Sequence, residues 1–211
     1  MPEGEFRMSS LRDRSTFEAS YAGKAPWDIG KAQGAIAESV DLVTSPVLDA
    51  GCGTGENALF LAASGHQVTG IDFVDEAIRM ARRKAVERGL AVEFHVKDVM
   101  TLGDWDKRFA TVIDSGLFHV LSDEDRGRYV AGLTHVTEPG GRLLLLCCSD
   151  EEPGTQGPRR VSQREIRAIF DNAWTVEEIR PRRADVRQDM EDVSFSEGGP
   201  KFWFAIIRRN R

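Results

Sequence analysis

Asp49 lies in a run, Val47–Asn57 (VLDAGCGTGEN), that sets a carboxylate just before glycines at 51, 53 and 55. Such glycines let a ligand approach main-chain N–H groups closely, with no side-chain bulk in the way. The spacing narrows the ligand. A dinucleotide fingerprint reads G-x-G-x-x-G, with its third glycine three places after the second. Here Gly55 follows Gly53 by two, and Glu56 fills the place that the fingerprint needs. The Lys-Ser/Thr pair of a phosphate-binding P-loop is also missing. A carboxylate at 49 does nothing for a pyrophosphate but favours a cation. The run reads as a site for a nucleoside without phosphates.

A second carboxylate, Asp72, comes about 20 residues after the glycine turn, at the end of the next apolar stretch, where an acid can accept hydrogen bonds from both ribose hydroxyls. Capping the following helix is the plainer job for it, but Asp75 is better placed for that. Phe73 adjoins Asp72 and offers a ring to a base. Asp114-Ser115-Gly116-Leu117-Phe118-His119 closes a later apolar stretch. His119 is a candidate general base, or a residue that fixes the local backbone.

D-A-G-C-G-T-G at 49–55 resembles the first motif of class I S-adenosylmethionine (SAM)-dependent methyltransferases, and the likeness extends over residues 25–146. The resemblance implies SAM as cofactor, held around Asp49, Gly51, Cys52, Gly53, Thr54, Gly55 and Asn57, with Asp72 on the ribose and Phe73 on the adenine. It also implies that Asp98 takes the adenine amino group and Val99 lends a backbone N–H. Asp114 matches the family's fourth motif and, with Ser115, faces the methionine part and the acceptor. Pro26-Trp27-Asp28-Ile29-Gly30 is similar to a segment of the branch holding thiopurine, tellurite-resistance and mycobacterial benzoquinone methyltransferases. It implies that Trp27 and Gly30 cover the cofactor. DSGLFHVLSDEDR and CCSDEEPGTQGPRRVSQREI look similar to the benzoquinone enzymes.

The elements that must position these residues follow from apolar periodicity. Apolar residues at 32, 35, 36, 40 and 43 predict a helix over 31–43, closed by Pro46. Strands are expected at 47–50, 67–72, 91–96, 109–114 and 142–148, the last after a Pro139-Gly140-Gly141 turn. Helices are expected at 56–64, ended by Gly65, at 75–88, ended by Gly89, and at 124–136. Ser162 and Glu165 form a capping box before a helix to 172, with Val161 and Ile166 as its hydrophobic staple. Two strands, 174–179 and 201–208, finish the chain. Alternating strands and helices predict an α/β fold, a Rossmann-like doubly wound seven-stranded sheet, mostly parallel with an antiparallel last strand. Residues 1–30 read as an extension lying over the crevice, with weak helical signals at 11–21, and 31–211 as one domain.

Composition excludes other classes. The chain has 211 residues, 41% of them hydrophobic and 29% charged, with no apolar run near the roughly 20 residues that span a bilayer. Its beginning lacks the apolar core of a signal peptide, and Cys52, Cys147 and Cys148 lack metal-ligand spacing. A cytoplasmic protein with reduced thiols and no metal is expected. The net charge of −6, without a basic stripe, disfavours nucleic acid as partner. The expected enzyme methylates a small molecule at O, S or N. An RNA or protein methyltransferase, or a non-catalytic SAM-binding protein, is the alternative. Oligomeric state is open.

Overall fold

The structure, a computed structural model, describes residues 14–23, 25–187 and 195–211. Its centre is built from runs apolar on both faces. Strand β1 (Val47–Ala50) is buried at every position, and so is β2 (Val68–Asp72). Continuous burial of this kind marks inner strands of a sheet covered on both faces. Glu93–Val96 forms β3, which has one fully buried residue in four and takes the edge. Phe109–Ser115 (β4), Thr137–Cys148 (β5), Trp174–Arg183 (β6) and Lys201–Arg209 (β7) complete a seven-stranded sheet of order β3-β2-β1-β4-β5-β7-β6. The first five strands run parallel, while β7 is antiparallel to both its neighbours. The expected mostly parallel sheet with an antiparallel last strand is what the chain forms.

Alternate residues of the strands feed two cores. Leu48, Val112, Leu143 and Leu145 pack on one face, whereas Val47, Ile113, Leu144 and Leu146 pack on the other. Helices cover both: α1 (Arg14–Ala22), α2 (Gly34–Ala37), α3 (Glu56–Ala63), α4 (Asp75–Glu87), α5 (Asp123–Val136) and α6 (Gln163–Ile169). Gly65 and Gly89 adopt φ of +92° and +63° and stop α3 and α4. The residue after each glycine bonds back to the helix, His66 N–H to Leu61 and Leu90 N–H to Ala85. This is the Schellman closure that favours glycine. The Ser162–Glu165 capping box forms as expected, and Val161 and Ile166 are both fully buried.

Three expectations need correction. The helix over 31–43 is broken into α2 and a 3-10 turn at Val40–Leu42. Ser39 Oγ donates to the Ala35 carbonyl at 2.8 Å, a local bond that competes with helix continuation. Ala35, Ile36 and Val43 are still buried, so the apolar face is present without the unbroken helix. Strand β5 begins at Thr137, and the expected turn at 139–141 lies inside it as a bulge. The pairing with β4 jumps there from Phe109–Thr137 to Thr111–Arg142. Gly140 has φ +83°, and a Cβ on Gly141 would stand 2.8 Å from the Ala110 carbonyl oxygen. The third strand starts at Glu93 rather than residue 91. Of the helical signals at 11–21, those at 11–13 lie outside the described residues and the rest fall in α1.

Gly70 in β2 shows how tightly this sheet is covered. A Cβ there would lie 2.6 Å from the Phe94 ring and 3.0 Å from Cys52 Sγ. Gly70→Ala is therefore expected to overpack the core and cost about 1–3 kcal/mol, read as a lowered Tm in calorimetry.

Candidate functional site

The carboxyl ends of β1, β2 and β4 deliver three buried acids to one sheet edge: Asp49, Asp72 and Asp114. Each carboxylate is also part of the loop that follows its strand. Asp49 Oδ2 accepts the Ala58 N–H of α3 at 3.1 Å. Asp72 accepts from Gly53 N–H at 3.0 Å and Val74 N–H at 2.9 Å, locking the glycine turn to the end of β2. Asp75 caps nothing with its side chain, so Asp72 does the local bonding expected of its neighbour. Asp114 accepts from Leu117 and Phe118 N–H, and from the Tyr129 hydroxyl at 3.0 Å.

Burial pushes Asp49 up to about 7, and repulsion from Asp114 and Asp72 adds to it, against the Ala58 bond. Asp114 is raised to about 6, again chiefly by burial, in spite of its three donors. No cation is among the groups acting on Asp49. A cluster of this kind is suited to a positively charged ligand, since a nearby cation favours the ionised acid.

Gly51 and Gly53 have φ of +69° and +54°, and neither has room for a side chain. A Cβ on Gly51 would meet Leu117, and one on Gly53 would lie 2.7 Å from the Tyr21 hydroxyl. Helix α1 thus lies directly on the turn. Trp27 Nε1–H donates to Tyr21 Oη, and its ring stands edge-on to Tyr21 at 6.0 Å and tilted to Phe17 at 5.9 Å. Phe17 in turn meets Phe73 edge-on at 5.6 Å. Trp27 itself keeps 43% of its surface in solvent, on the outside of this aromatic cover.

Charged groups pin the cover to the turn. Thr54 Oγ1 donates to Asp28 and accepts from Lys84, both at 2.8 Å. Lys84 also pairs with Glu56, which takes a two-pronged bond from Arg88. Burial pulls Glu56 upward, but the bonds from Arg88 and Lys84 outweigh it and hold the acid below its usual range. Asn57 Oδ1 accepts the Gln33 N–H ahead of α2, so that face of Asn57 serves the scaffold. Gly30 is exposed at φ +72°, and Cys52 donates its N–H to Ile71 while burial raises its thiol. Asp98 is exposed at the end of β3 and accepts the Met100 N–H, while Val99 beside it is buried.

Farther along the edge, after β4, Ser115 is half-buried and Leu117 packs on the glycine turn. His119 is buried, and its Nδ1 accepts the Cys148 N–H at 3.0 Å. Its ring stands edge-on to Phe202 at 5.6 Å. Burial, with Arg126 and Arg160 nearby, lowers His119 to about 3, so the ring is neutral. With Nδ1 accepting, the single ring hydrogen sits on Nε2. The loop after β5 is moulded around Arg160, whose guanidinium donates to the carbonyls of Glu152, Pro153, Gly154, Gln156 and Pro158. Buried Glu152 accepts the Ser196 and Lys201 N–H groups, fastening that loop to β7.

The structure gathers Asp49, Gly51, Gly53, Thr54, Asp72, Phe73, Trp27 and Leu117 around one turn. Asp98, Ser115 and His119 stand farther along the same edge. Sequence reasoning missed Phe17 and Tyr21, four residues apart on one face of α1, and Asp28, Lys84, Tyr129 and Arg160. The spacing of Phe17 and Tyr21 just ahead of Trp27 was the available signal.

An open parallel sheet with acids at its carboxyl edge and a glycine turn under an aromatic cover defines a nucleoside-binding enzyme of Rossmann-like architecture. Comparison with known proteins makes this specific. The family described as Methyltransferase domain matches residues 47–141. A 2-heptyl-1-hydroxyquinolin-4(1H)-one methyltransferase of Mycobacteroides abscessus is 38% identical over 196 residues, covering 87% of this chain and 85% of that protein. A solved structure described as "Conversion of a Disulfide Bond into a Thioacetal Group during Echinomycin Biosynthesis" is 35% identical with a TM-score of 0.79, and 93% of each chain is covered. The 1,6-didemethyltoxoflavin-N1-methyltransferase of Burkholderia thailandensis, solved with S-adenosylhomocysteine, shares the fold at TM-score 0.71 and 22% identity, over 94% and 87% of the chains. The chain belongs to the class I SAM-dependent methyltransferases, and SAM is its cofactor. The residues present suit that cofactor: the glycine turn is closely covered, and three buried acids lie together at the sheet edge, a setting that favours a positively charged ligand. Among the described residues no helix is long and apolar enough to cross a membrane, and no group of side chains is arranged to hold a metal ion.

Proposed function

We propose that the enzyme transfers the methyl group of SAM to a small-molecule acceptor through an oxygen, sulfur or nitrogen nucleophile. The observation that carries this reading is the aromatic cover. Tyr21 lies on the glycine turn, and Trp27 packs on Tyr21 and Phe17, so helix α1 and this loop close the approach to the turn. A small molecule can approach beside this cover, whereas an RNA stem or folded protein would have to displace the helix. The Mycobacteroides relative, named for methylation of a bicyclic hydroxyquinolinone, supports the same substrate class.

SAM supplies the methyl group as an electrophile; the chain's residues bind, orient and exclude water. Asp72 fixes the Gly53 and Val74 N–H groups at the end of β2, and in this reading its carboxylate accepts the ribose hydroxyls. Asp49 and Asp114 favour the cationic end, with Gly51, Cys52, Gly53, Thr54 and Gly55 lining the turn. Phe73 borders the base, and Asp98 and Val99 hold its far edge. The cover formed by residues 14–23 and 25–30 keeps water from the reacting centre. Aligning nucleophile and methyl in this way supplies most of the acceleration.

His119 acts as a donor rather than a base. Its Nδ1 is occupied by the Cys148 N–H, and Nε2 carries the hydrogen. From Nε2 it can bond an acceptor anion and hold it in line. His119→Asn, which retains an acceptor for Cys148, is expected to lower kcat roughly 10- to 150-fold with little change in SAM affinity, the range for losing a charge-assisted hydrogen bond. The wild-type pH–rate profile should lack a limb near the ordinary histidine range. A limb near 6.5 that vanishes in the variant would establish a general base instead. Transfer of labelled methyl from SAM tests the substrate class, with phenols, quinols, thiols and amines in one arm and RNA and protein in another. Label in a small molecule supports the proposal, and label confined to RNA or protein overturns it.

A further inference from the structure

The chain runs from the aromatic cover into α2 through residues 26–34, and the residues that follow β6 are bonded to both ends of that stretch. At one end the Arg187 N–H donates to the Pro26 carbonyl at 3.0 Å. At the other, Gln33 and Asp185 exchange two bonds. Gln33 Nε2 donates to the Asp185 carbonyl, and the Asp185 N–H donates to Gln33 Oε1, both at 2.9 Å. The Asp185 carboxylate also accepts the Gly34 N–H at 3.2 Å and pairs with Lys31 at 3.0 Å. The stretch 26–33, which carries Trp27 and Asp28, is therefore a loop closed at its base by residues 185–187.

This clamp is joined to the site on both sides. The Gln33 N–H donates to Asn57 Oδ1 in the first turn of α3, the helix that leaves the glycine turn. Ala184, buried beside Asp185, donates its N–H to the Pro200 carbonyl, and the next N–H, that of Lys201, goes to Glu152 in the loop after β5. The loop itself meets the glycine turn through Asp28 and Thr54.

Polar bonds rather than apolar packing hold the two segments together. A cavity of about 780 Å³ is lined by residues 28–31 and 185–187 with Glu56, Lys84 and Arg88, and seven of these ten residues are charged. The bonds differ in weight. Lys31 and Asp185 form an exposed pair, and exposed pairs contribute little. The exchange between Gln33 and Asp185 and the carboxylate bond to Gly34 are partly buried, and these carry the clamp.

We propose that Gln33 and Asp185 are positioning residues for SAM, which hold the loop on the glycine turn in its binding geometry before the cofactor arrives. Their effect is exerted through the loop. Without the clamp the loop samples other arrangements, and apparent affinity falls with the fraction of molecules in which it is seated. This inference rests on the reading of residues 25–30 as part of the cover over the cofactor and adds what fixes that cover.

Calorimetric titration with S-adenosylhomocysteine tests it without an acceptor. Gln33→Ala, which removes both exchanged bonds, is expected to weaken binding roughly tenfold at unchanged stoichiometry. A merely structural loss would instead lower the fraction of competent protein, and so the stoichiometry, at unchanged affinity. Asp185→Ala should weaken binding by a similar factor. Asp185→Asn, whose amide oxygen still accepts the Gly34 N–H, should recover most of that loss. Lys31→Met, which removes only the exposed pair, should bind like the wild type. Hydrogen exchange read by mass spectrometry should rise in Gln33→Ala at residues 25–34 and 184–187 and stay at the wild-type level in β1 and β4. Unchanged affinity in Gln33→Ala, a lowered stoichiometry at wild-type affinity, or faster exchange throughout the sheet would overturn the proposal. So would an Asp185→Asn variant as weak as Asp185→Ala, or a loss in Lys31→Met as large as that in Gln33→Ala. The methyl-transfer reading fails separately, if labelled SAM passes its methyl group to no small molecule.

Discussion

Replacing Asp72 by alanine is expected to weaken SAM binding roughly 10- to 150-fold, as measured by calorimetric titration. The estimate corresponds to about 1.5–3 kcal/mol for hydrogen bonds to a charged group. Two losses combine in this variant. The ribose hydroxyls lose their acceptor, and the Gly53 N–H loses the carboxylate that fixes the glycine turn to β2. Asp72→Asn separates them, because its amide oxygen can still accept one of these bonds. It should bind SAM with an affinity between wild type and Asp72→Ala. Unchanged affinity in Asp72→Ala would remove this acid from the site.

SAM affinity is also expected to rise with pH between about 5 and about 7 and to level off above. The sign follows from the raised acids. Burial holds Asp49 up to about 7 and Asp114 to about 6 in the free protein. A bound sulfonium favours the ionised carboxylates and lowers both values, so binding releases protons within that window. Each unit by which a pKa falls is worth tenfold in affinity on the alkaline side. Asp72 and the Ala58 N–H face Asp49, and no cation is among the groups acting on it. Asp114 faces Tyr129 and Arg126, whose charge already lowers it, so the larger part of the trend falls to Asp49. S-adenosylhomocysteine, with a neutral sulfur, should show a shallower slope. Titration in buffers of different ionisation enthalpy counts the protons. Asp49→Asn should flatten the profile and weaken binding.

The same acids affect the free protein in the opposite direction. A carboxyl group whose folded pKa lies above its unfolded value loses stability as pH rises between the two. The ligand-free enzyme is accordingly expected to be less stable at pH 7 than at pH 5 through Asp49, and Asp49→Asn should gain stability at neutral pH. A rising Tm with pH in the ligand-free wild type, reversed in this variant, would argue against a buried ionised Asp49.

Much of this arrangement was legible in the sequence because its causes are local. Glycines at 51, 53 and 55 need positive φ or close approach, and the apolar runs of β1, β2 and β4 place their acids at the same edge. Gly65, Gly89 and the Ser162–Glu165 box mark helix ends through chemistry confined to a few residues. What the sequence did not disclose depends on distant groups. Tyr21 lies on Gly53 through the docking of α1, and Arg160 organises a loop through five carbonyls that carry no side-chain signature. The tautomer of His119 is set by a backbone N–H from another strand. Ser39 interrupts an apolar periodicity that otherwise reads as one helix, and Pro139-Gly140-Gly141 makes a bulge because β5 resumes its pairing beyond it.

The most direct test of the account is a crystal structure of the ternary complex with S-adenosylhomocysteine and a methyl-accepting phenol. The account places the ribose hydroxyls on Asp72, the thioether sulfur beside the end of β4, and the phenol oxygen about 2.6–3.2 Å from His119 Nε2. A nucleoside bound away from the glycine turn, or a phenol oxygen beyond the reach of Nε2 on the far side of Phe202, would contradict it.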